Sequence, residues 1–442
     1  FLAVLMFGLH YLGFLAYLSL VLIGALYYAA IAVIVAGLAQ RGISNPLLTA
    51  AVWVISEGLR ARWPLGGLAW GEIGGSLNQL AVARSTASWG GVALVSFLVV
   101  ALNGFLFSLY LSRKNQRNTL LAVTGVGTIL VLVLAGFVAR FEPTPTGRIH
   151  YALIQGFDKS DAELASTAVG PRETEDHFEL ARRLKGDFDL IVFPESALYD
   201  DPEANPALRA QVTELAALHN SVVLVNARHY QPDGKLYNVN FAYNSAGKLI
   251  GKYAKQHLVP FGEYVPWRSA LSFIGPLRQI PYDFSPGRGR QMFKVNGHSV
   301  AGVICYESAY PQLVGDFVRD GAEAIVVSTS DRSYRRSNIA PAHFAQAQMR
   351  AAENARPVLQ ASISGVTGVI DKAGRVKNQT ELFENSVLTG YINTYKGQTP
   401  FLRWGNWLLV LAAIGLLAAV VLAWRPRAKD IRKDQVDSER ER

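Results

Sequence analysis

Three residues of reactive type stand at the carboxyl ends of strand-like runs. Cys305, the one cysteine among 442 residues, follows the apolar run 300–304. Taken alone, a single cysteine is most simply a small buried hydrophobe. A strand-to-turn corner, however, exposes a side chain at a sheet edge and aims backbone N–H groups at the same spot, as a nucleophile with an oxyanion hole requires. Tyr306, Glu307 and Ser308 begin such a turn ahead of a helical stretch near Pro311. Glu195 comes directly after the apolar run 190–193 and Pro194, which puts a carboxylate where it can serve as a general base. Lys255 lies in residues 252–264, Lys-Tyr-Ala-Lys-Gln-His-Leu-Val-Pro-Phe-Gly-Glu-Tyr, an unusual mixture of charge, proline and aromatics. Singly, a strand-end glutamate is a cap or surface residue and a lysine beside His257 a solvated loop residue. Jointly, the three supply a base, a cation for developing negative charge and a nucleophile. No second cysteine and no histidine at ligand spacing accompanies Cys305, so neither an intramolecular disulfide nor a metal site is expected.

The rest of the chain must position these residues, and it is too apolar for an ordinary soluble globule. Half of it is hydrophobic, 17% is charged and the mean hydropathy is +0.18. Residues 1–140 hold 8 Lys/Arg and 2 Asp/Glu, residues 141–400 hold 27 and 27, and residues 401–442 hold 8 and 5. The net +9 thus resides outside a neutral central segment, which excludes a basic nucleic-acid-binding surface. Six apolar stretches read as membrane spans: 1–16, 20–40, 46–59, 87–111, 118–139 and 405–424, with 46–59 the shortest and ending near Glu57. Arg113, Lys114 and Arg117 between two spans, and Arg425, Arg427, Lys429, Arg432 and Lys433 after the last, are expected on the cytoplasmic side. Arg41 then also lies inside, and residues 141–400 are expected outside, in a periplasm-like space. The expected organisation is a transmembrane helix bundle (1–140), an extracytoplasmic catalytic domain (141–400), a last transmembrane helix (401–424) and a basic cytoplasmic tail (425–442). Phe1 opens the chain inside an apolar run with no basic region before it, so the bundle is expected to be truncated at its amino end.

Within 141–400 the pattern turns to short β-type runs alternating with helical stretches. Strands are predicted at 150–155, 190–193, 222–226, 238–244, 299–304, 324–328 and 358–362, and helices at 173–184, 207–219 and 340–354. Residues 244–247 and 371–374 carry hairpin-turn composition. This order is α/β, with a layered sandwich expected.

Phe193-Pro194-Glu195-Ser196-Ala197, Lys255 with the string from His257 to Pro266, and Ile304-Cys305-Tyr306-Glu307 resemble the nitrilase, or carbon-nitrogen hydrolase, superfamily. The flanking spans and the His-Leu-Val-Pro-Phe-Gly-Glu string narrow the resemblance to the apolipoprotein N-acyltransferase family. It implies an α-β-β-α sandwich on a bundle of eight membrane helices in the bacterial cytoplasmic (inner) membrane, two of which would be missing here. It also implies N-acylation of the diacylglyceryl-modified N-terminal cysteine of apolipoproteins, with a membrane phospholipid as acyl donor and no cofactor. Carried over by motif, Glu195 is the general base, Lys255 stabilises the tetrahedral intermediates and Cys305 carries the acyl group as a thioester. Glu263 matches a second glutamate that positions the lysine, and Tyr306 and Glu307 match residues needed beside the nucleophile.

Two stretches depart from the family pattern. Arg332-Ser333-Tyr334-Arg335 stands where many members carry Trp-Phe-Gly, and Ser362-Ile363-Ser364-Gly365-Val366-Thr367 replaces Thr-Asn-x-Gly-x-Thr. Arg332, Arg335 and Arg336 are candidates for lipid phosphates or plain solvated loop residues. Trp63, Trp70 and Trp89 are expected in an interfacial aromatic belt rather than at the site. The rival readings are a membrane-tethered C–N hydrolase of a small substrate and a noncatalytic scaffold or transporter. Few ionisable residues lie in the spans, which disfavours transport, and a mere tether needs one helix rather than a bundle.

Overall fold

The computed structural model describes residues 2–112, 115–156 and 170–424. Arg113, Lys114 and the tail 425–442, which carry the cationic residues read as cytoplasmic anchors other than Arg41 and Arg117, lie outside them. Among the described residues, five apolar helices form the helical part: Phe14–Gln40, Pro46–Arg60, Ala81–Leu111, Gln116–Val138 and Trp407–Ala423. The first, third and fourth are long and apolar enough to cross a bilayer, at 27, 31 and 23 residues. The helix Pro46–Arg60 starts where a sequence reader would start it. Asn45 Oδ1 accepts the Leu47 N–H at 2.8 Å, and Pro46 occupies the first turn, where its missing N–H costs nothing.

The expected span 1–16 is corrected by the structure. A short helix, Leu2–Leu5, and a 3-10 turn, Phe7–Leu12, end at Gly13, whose φ of +137° suits glycine and turns the chain. The next helix then begins at Phe14, so residues 14–16 belong to the second span. The leading segment packs under the α/β domain instead of crossing a membrane. Met6 joins that domain's core, and Asn338 Nδ2 donates to the Leu5 carbonyl at 2.7 Å.

The helix Ala81–Leu111 extends six residues ahead of its predicted start and breaks at Gly90 and Gly91. Gly91 has φ +71°, and a Cβ there would meet the Phe401 ring at 2.7 Å. The break frees the Val92 N–H, which donates to Glu353 Oε1 of the α/β domain at 2.7 Å. A carboxylate from one part thus caps a membrane helix of the other.

Among the described residues, twelve strands make two six-stranded sheets. One has the order β12-β1-β2-β3-β4-β5, formed by Asn385–Lys396, Thr144–Gly156, Leu190–Val192, Val222–Tyr230, Leu236–Tyr243 and Leu249–Ala254. The other has the order β11-β10-β9-β8-β7-β6, formed by Val376–Gln379, Gly368–Ile370, Val358–Ile363, Ala324–Ser330, His298–Ile304 and Met292–Val295. β1, β2 and β3 run parallel, as do β7, β8 and β9. β2 and most of β7 and β8 are buried on both faces, and Leu190–Val192 and Ile325–Val327 read as continuous Val/Ile/Leu runs. The sheets pack face to face through Leu153, Val192, Leu224, Val303 and Val327 among others. Helices Pro171–Arg182 and Pro206–Leu218 join the core on the first sheet's outer side, and Pro311–Arg319 and Ile339–Asn354 cover the second. This is a nitrilase-like α-β-β-α sandwich on apolar helices. The turns at 244–247 and 371–374 are hairpin tips, joining β4 to β5 and β10 to β11.

Candidate active site

Each reactive residue leaves the end of a strand, and the two sheets bring those ends together. Glu195 stands three residues beyond β2, Lys255 directly after β5 and Cys305 directly after β7. The first two come from one sheet and the third from the other, so face-to-face packing is what assembles the site. Cys305 adopts φ +52°, a conformation that a non-glycine residue takes only when its surroundings hold it. It opens the 3-10 turn Cys305–Ala309, which matches the expected elbow.

Lys255 is fully buried, and its Nζ donates to Glu263 Oε1 at 2.9 Å and to Glu195 Oε1 at 3.2 Å. Burial by itself favours the neutral amine, but the two carboxylates outweigh it and hold the lysine pKa well above its ordinary value. The side chain is therefore held as a cation. Asn238 Nδ2 donates to both carboxylates, at 2.8 Å to Glu195 and 3.0 Å to Glu263. The second Glu195 oxygen accepts the Ser330 N–H at 3.0 Å. Glu263 Oε2 accepts the Val259 N–H at 2.8 Å, folding the loop after Lys255 back on itself. Burial first, then the Glu195 carboxylate, push the Cys305 thiol pKa well above its usual value, and Lys255 only partly opposes them. The resting side chain of Cys305 is therefore a thiol.

Glu307 is wholly buried below the elbow. Its carboxylate accepts the Ile304, Gln256 and His257 N–H groups and the Tyr253 hydroxyl, at 2.7 to 3.2 Å. It thereby ties the end of β5 to the end of β7, a structural clamp rather than a reacting group. Tyr306 and Tyr310 both donate their hydroxyls to the Gly67 carbonyl, at 3.3 and 2.9 Å, and so bind the elbow to the loop between two membrane helices. Trp70, from the same loop, corrects the belt expectation for that residue. It is buried, stacks on Tyr306 at 6.2 Å and lies 5.3 Å from the His343 ring, because its loop folds inward under the sandwich. Trp63 is exposed.

Residues 1–105 match the N-terminal domain of apolipoprotein N-acyltransferase, and residues 164–399 match the carbon-nitrogen hydrolase family. An apolipoprotein N-acyltransferase of Methylococcus capsulatus is 35% identical over 391 residues, covering 85% of this chain and 72% of its own. The chain belongs to the apolipoprotein N-acyltransferase family. A member from Geobacter metallireducens is 30% identical over 414 residues, covering 91% of this chain and 79% of its own. Among solved structures, a nitrilase-superfamily amidase of Nesterenkonia aligns with a TM-score of 0.44 at 16% identity, covering 61% of this chain and 98% of its own.

Several residues of this N-acyltransferase family member escaped the sequence reading. Asn238 bridges the two glutamates, and Asn226 Nδ2 holds it by donating to its Oδ1 at 2.9 Å. Buried asparagines on apolar strands were the available signal, since such amides must find partners. His343 and Asp331 form a second buried group, with Nδ1 2.9 Å from Asp331 Oδ1 and Nε2 3.2 Å from the Cys305 carbonyl. The segment 332–336 is less solvated than its composition suggested. The Arg335 guanidinium lies over the Tyr11 ring, the Arg336 guanidinium lies over Phe383, and Arg332 is buried. A cavity of about 390 Å³ opens between the membrane helices and the sandwich, lined by Glu57, Gly91, His257 and Tyr310 among others, and none of Glu195, Lys255 and Cys305 lines it.

Proposed function

We propose that this chain moves an acyl chain from a membrane phospholipid to the free α-amine of the diacylglyceryl-modified N-terminal cysteine of apolipoproteins, in two steps through Cys305. The carrying observation is the Lys255 ammonium held between Glu195 and Glu263 at the strand end that meets the Cys305 elbow. Cys305 Sγ attacks the ester carbonyl carbon while Glu195 takes the thiol proton. The carbonyl electrons move onto oxygen, where the Lys255 cation and a backbone N–H of the elbow stabilise the negative charge. Collapse breaks the ester C–O bond, Glu195 returns the proton to the departing lysophospholipid, and a thioester remains. The amine then attacks that thioester and its proton passes to Glu195; the C–S bond breaks, and Glu195 gives that proton to the departing sulfur to regenerate the thiol and its own carboxylate. Cysteine suits this sequence because a thioester is reactive enough for an amine to take the acyl group.

Membrane placement belongs to the same reading. Residues 14–140 form the bundle, residues 141–400 face the periplasm, residues 401–424 re-enter the bacterial cytoplasmic membrane, and residues 425–442 end inside. The Lys/Arg bias supports that orientation. Tyr306 and Tyr310 bonded to the Gly67 carbonyl support a site that works against the bilayer, where a lipid donor resides.

Incubation with phospholipid alone tests the proposal by intact-protein mass. One acyl mass should appear on Cys305, be released by neutral hydroxylamine and pass to an added diacylated lipopeptide, and Cys305→Ala should gain nothing. An adduct that passes to water as readily as to the lipopeptide amine would instead make this a membrane-tethered C–N hydrolase.

A further inference from the structure

His343 and Asp331 lie beneath the nucleophile, touch none of the three reactive side chains through a hydrogen bond, and have no role in the steps above. Both are about 1% exposed. The ring is held at both nitrogens. Nδ1 lies 2.9 Å from Asp331 Oδ1, and Nε2 lies 3.2 Å from the Cys305 carbonyl oxygen and 3.0 Å from Ser308 Oγ. A carbonyl oxygen only accepts, so Nε2 must carry a proton to bond it. Asp331 on the other nitrogen lets Nδ1 carry one as well. Burial works against the charged ring, but Asp331 outweighs it, and the His343 pKa is raised.

Asp331 is itself fixed. Its Oδ2 accepts the Ser362 hydroxyl at 3.2 Å, and its N–H donates to the Ile363 carbonyl at 3.3 Å. Gly365 lets this strand end come close, since a Cβ there would stand 2.3 Å from both Asp331 Oδ2 and Ser362 Oγ. Trp70 packs on the ring from the membrane side.

The peptide bond between Cys305 and Tyr306 is trans, so its C=O and N–H point in opposite directions. Anchoring the Cys305 carbonyl on His343 therefore turns the Tyr306 N–H away from that ring. Among the described residues no acceptor takes this N–H, which sits one bond beyond the nucleophile residue. A donor on the carbonyl side of an amide also polarises it and strengthens its N–H.

We infer that His343, oriented by Asp331, is a positioning residue for the oxyanion-binding amide: it grips the Cys305 carbonyl and so aims and strengthens the Tyr306 N–H. The inference rests on the acyl-transfer reading, in which an oxyanion forms beside Cys305. It separates two reactions of one thiol. Attack on an ester builds an oxyanion and needs the amide, whereas alkylation by iodoacetamide displaces iodide at carbon and does not.

The test uses the full chain in detergent. Acylation of Cys305 is timed with phospholipid and with a p-nitrophenyl ester, alkylation is timed with iodoacetamide, and the thermal midpoint is recorded. His343→Phe and Asp331→Leu should slow both acylations about 10²-fold, the usual loss for an oxyanion donor. Asp331→Leu acts by removing the acceptor that orients Nδ1–H, so the ring is neutral and nothing holds a proton on Nε2 toward the Cys305 carbonyl. Alkylation should stay within about threefold of the parent, because no oxyanion is involved. His343→Gln, whose amide can still donate to that carbonyl, should be the fastest acylator of the three. If His343→Phe does not fold, the contrast between His343→Gln and Asp331→Leu decides the matter. Acylation and alkylation falling together, or acylation unchanged, would overturn the inference in favour of a merely structural histidine. So would a parent protein that neither ester acylates. A parent acylated by the p-nitrophenyl ester but not by phospholipid would reject the lipid donor and leave the His343 contrast readable.

Discussion

Lys255 keeps a full positive charge in a fully buried position, and geometry rather than charge alone decides what can replace it. An ammonium is a compact donor that fits between Glu195 Oε1 and Glu263 Oε1, whereas a guanidinium is planar and longer. Lys255→Arg should therefore lose activity about 10² to 10³-fold, the scale of one missing oxyanion contact, in an acyl-transfer assay with phospholipid and diacylated lipopeptide. Activity within a few fold of the parent would remove Lys255 from the reaction. Cys305 has the opposite problem, since its surroundings oppose its charged form. Burial and the Glu195 carboxylate raise its pKa, so the thiolate fraction is still growing above the pH where a free cysteine is half ionised. Without substrate, alkylation of Cys305 should keep rising through pH 9. A plateau at or below neutral pH would indicate a preformed thiolate and leave Glu195 without its task as base.

At the scale of elements, the site depends on how loops after strands are tied together. Glu307 gathers four donors from two strand ends, and Asn238 on β4 spans Glu195 and Glu263 from two further segments. The segment after β9 is held as tightly, which Gly365 exposes to test. Gly365→Ala would drive a methyl into Asp331 Oδ2 and Ser362 Oγ, and overpacking of this kind costs about 1–3 kcal/mol. Thermal unfolding should show that loss, together with slower acylation, because Asp331 must move to make room. An unchanged midpoint and rate would mean that the strand end shifts freely. Gly275, with nothing within 4 Å of its added Cβ, is the matched control site.

At the scale of the whole molecule, the membrane helices and the sandwich are interlocked rather than tethered. Glu353 caps the broken helix at Val92, Asn78 Nδ2 donates to Gln348 Oε1 at 2.6 Å, and Trp407 Nε1 donates to the Trp89 carbonyl at 3.0 Å within the helical part. The orientation of this unit is open to direct measurement. In a Cys305→Ala background, single cysteines placed at Ser112 and Ser438 should be shielded from an impermeant thiol reagent in sealed cells, and one at Ser245 should be labelled. Labelling at Ser112 and Ser438 but not at Ser245 would invert the topology, since positive charge near short loops is what sets it.

The sequence by itself determined the strand runs of the sandwich interior, because residues buried on both faces must be continuously apolar, as at 190–192 and 324–327. It also marked Glu195, Lys255 and Cys305, since a charged or reactive side chain directly after such a run stands out locally. Strands β5, β6, β10, β11 and β12 were not legible. β5 is mostly half-buried, β12 mixes exposed and buried positions, and β11 is largely exposed, so they lack the apolar signal and owe their pairing to neighbours. The amino-terminal stretch misled for a related reason: hydrophobic residues are equally at home in a bilayer and under a domain, and only packing against Ser337 and Asn338 decided between them. Tertiary structure alone assigned Glu195 and Lys255 to one sheet and Cys305 to the other. It alone brought Asn238, Asp331, His343 and Trp70 against them, because such contacts join residues tens to hundreds of positions apart and leave no local period in the chain.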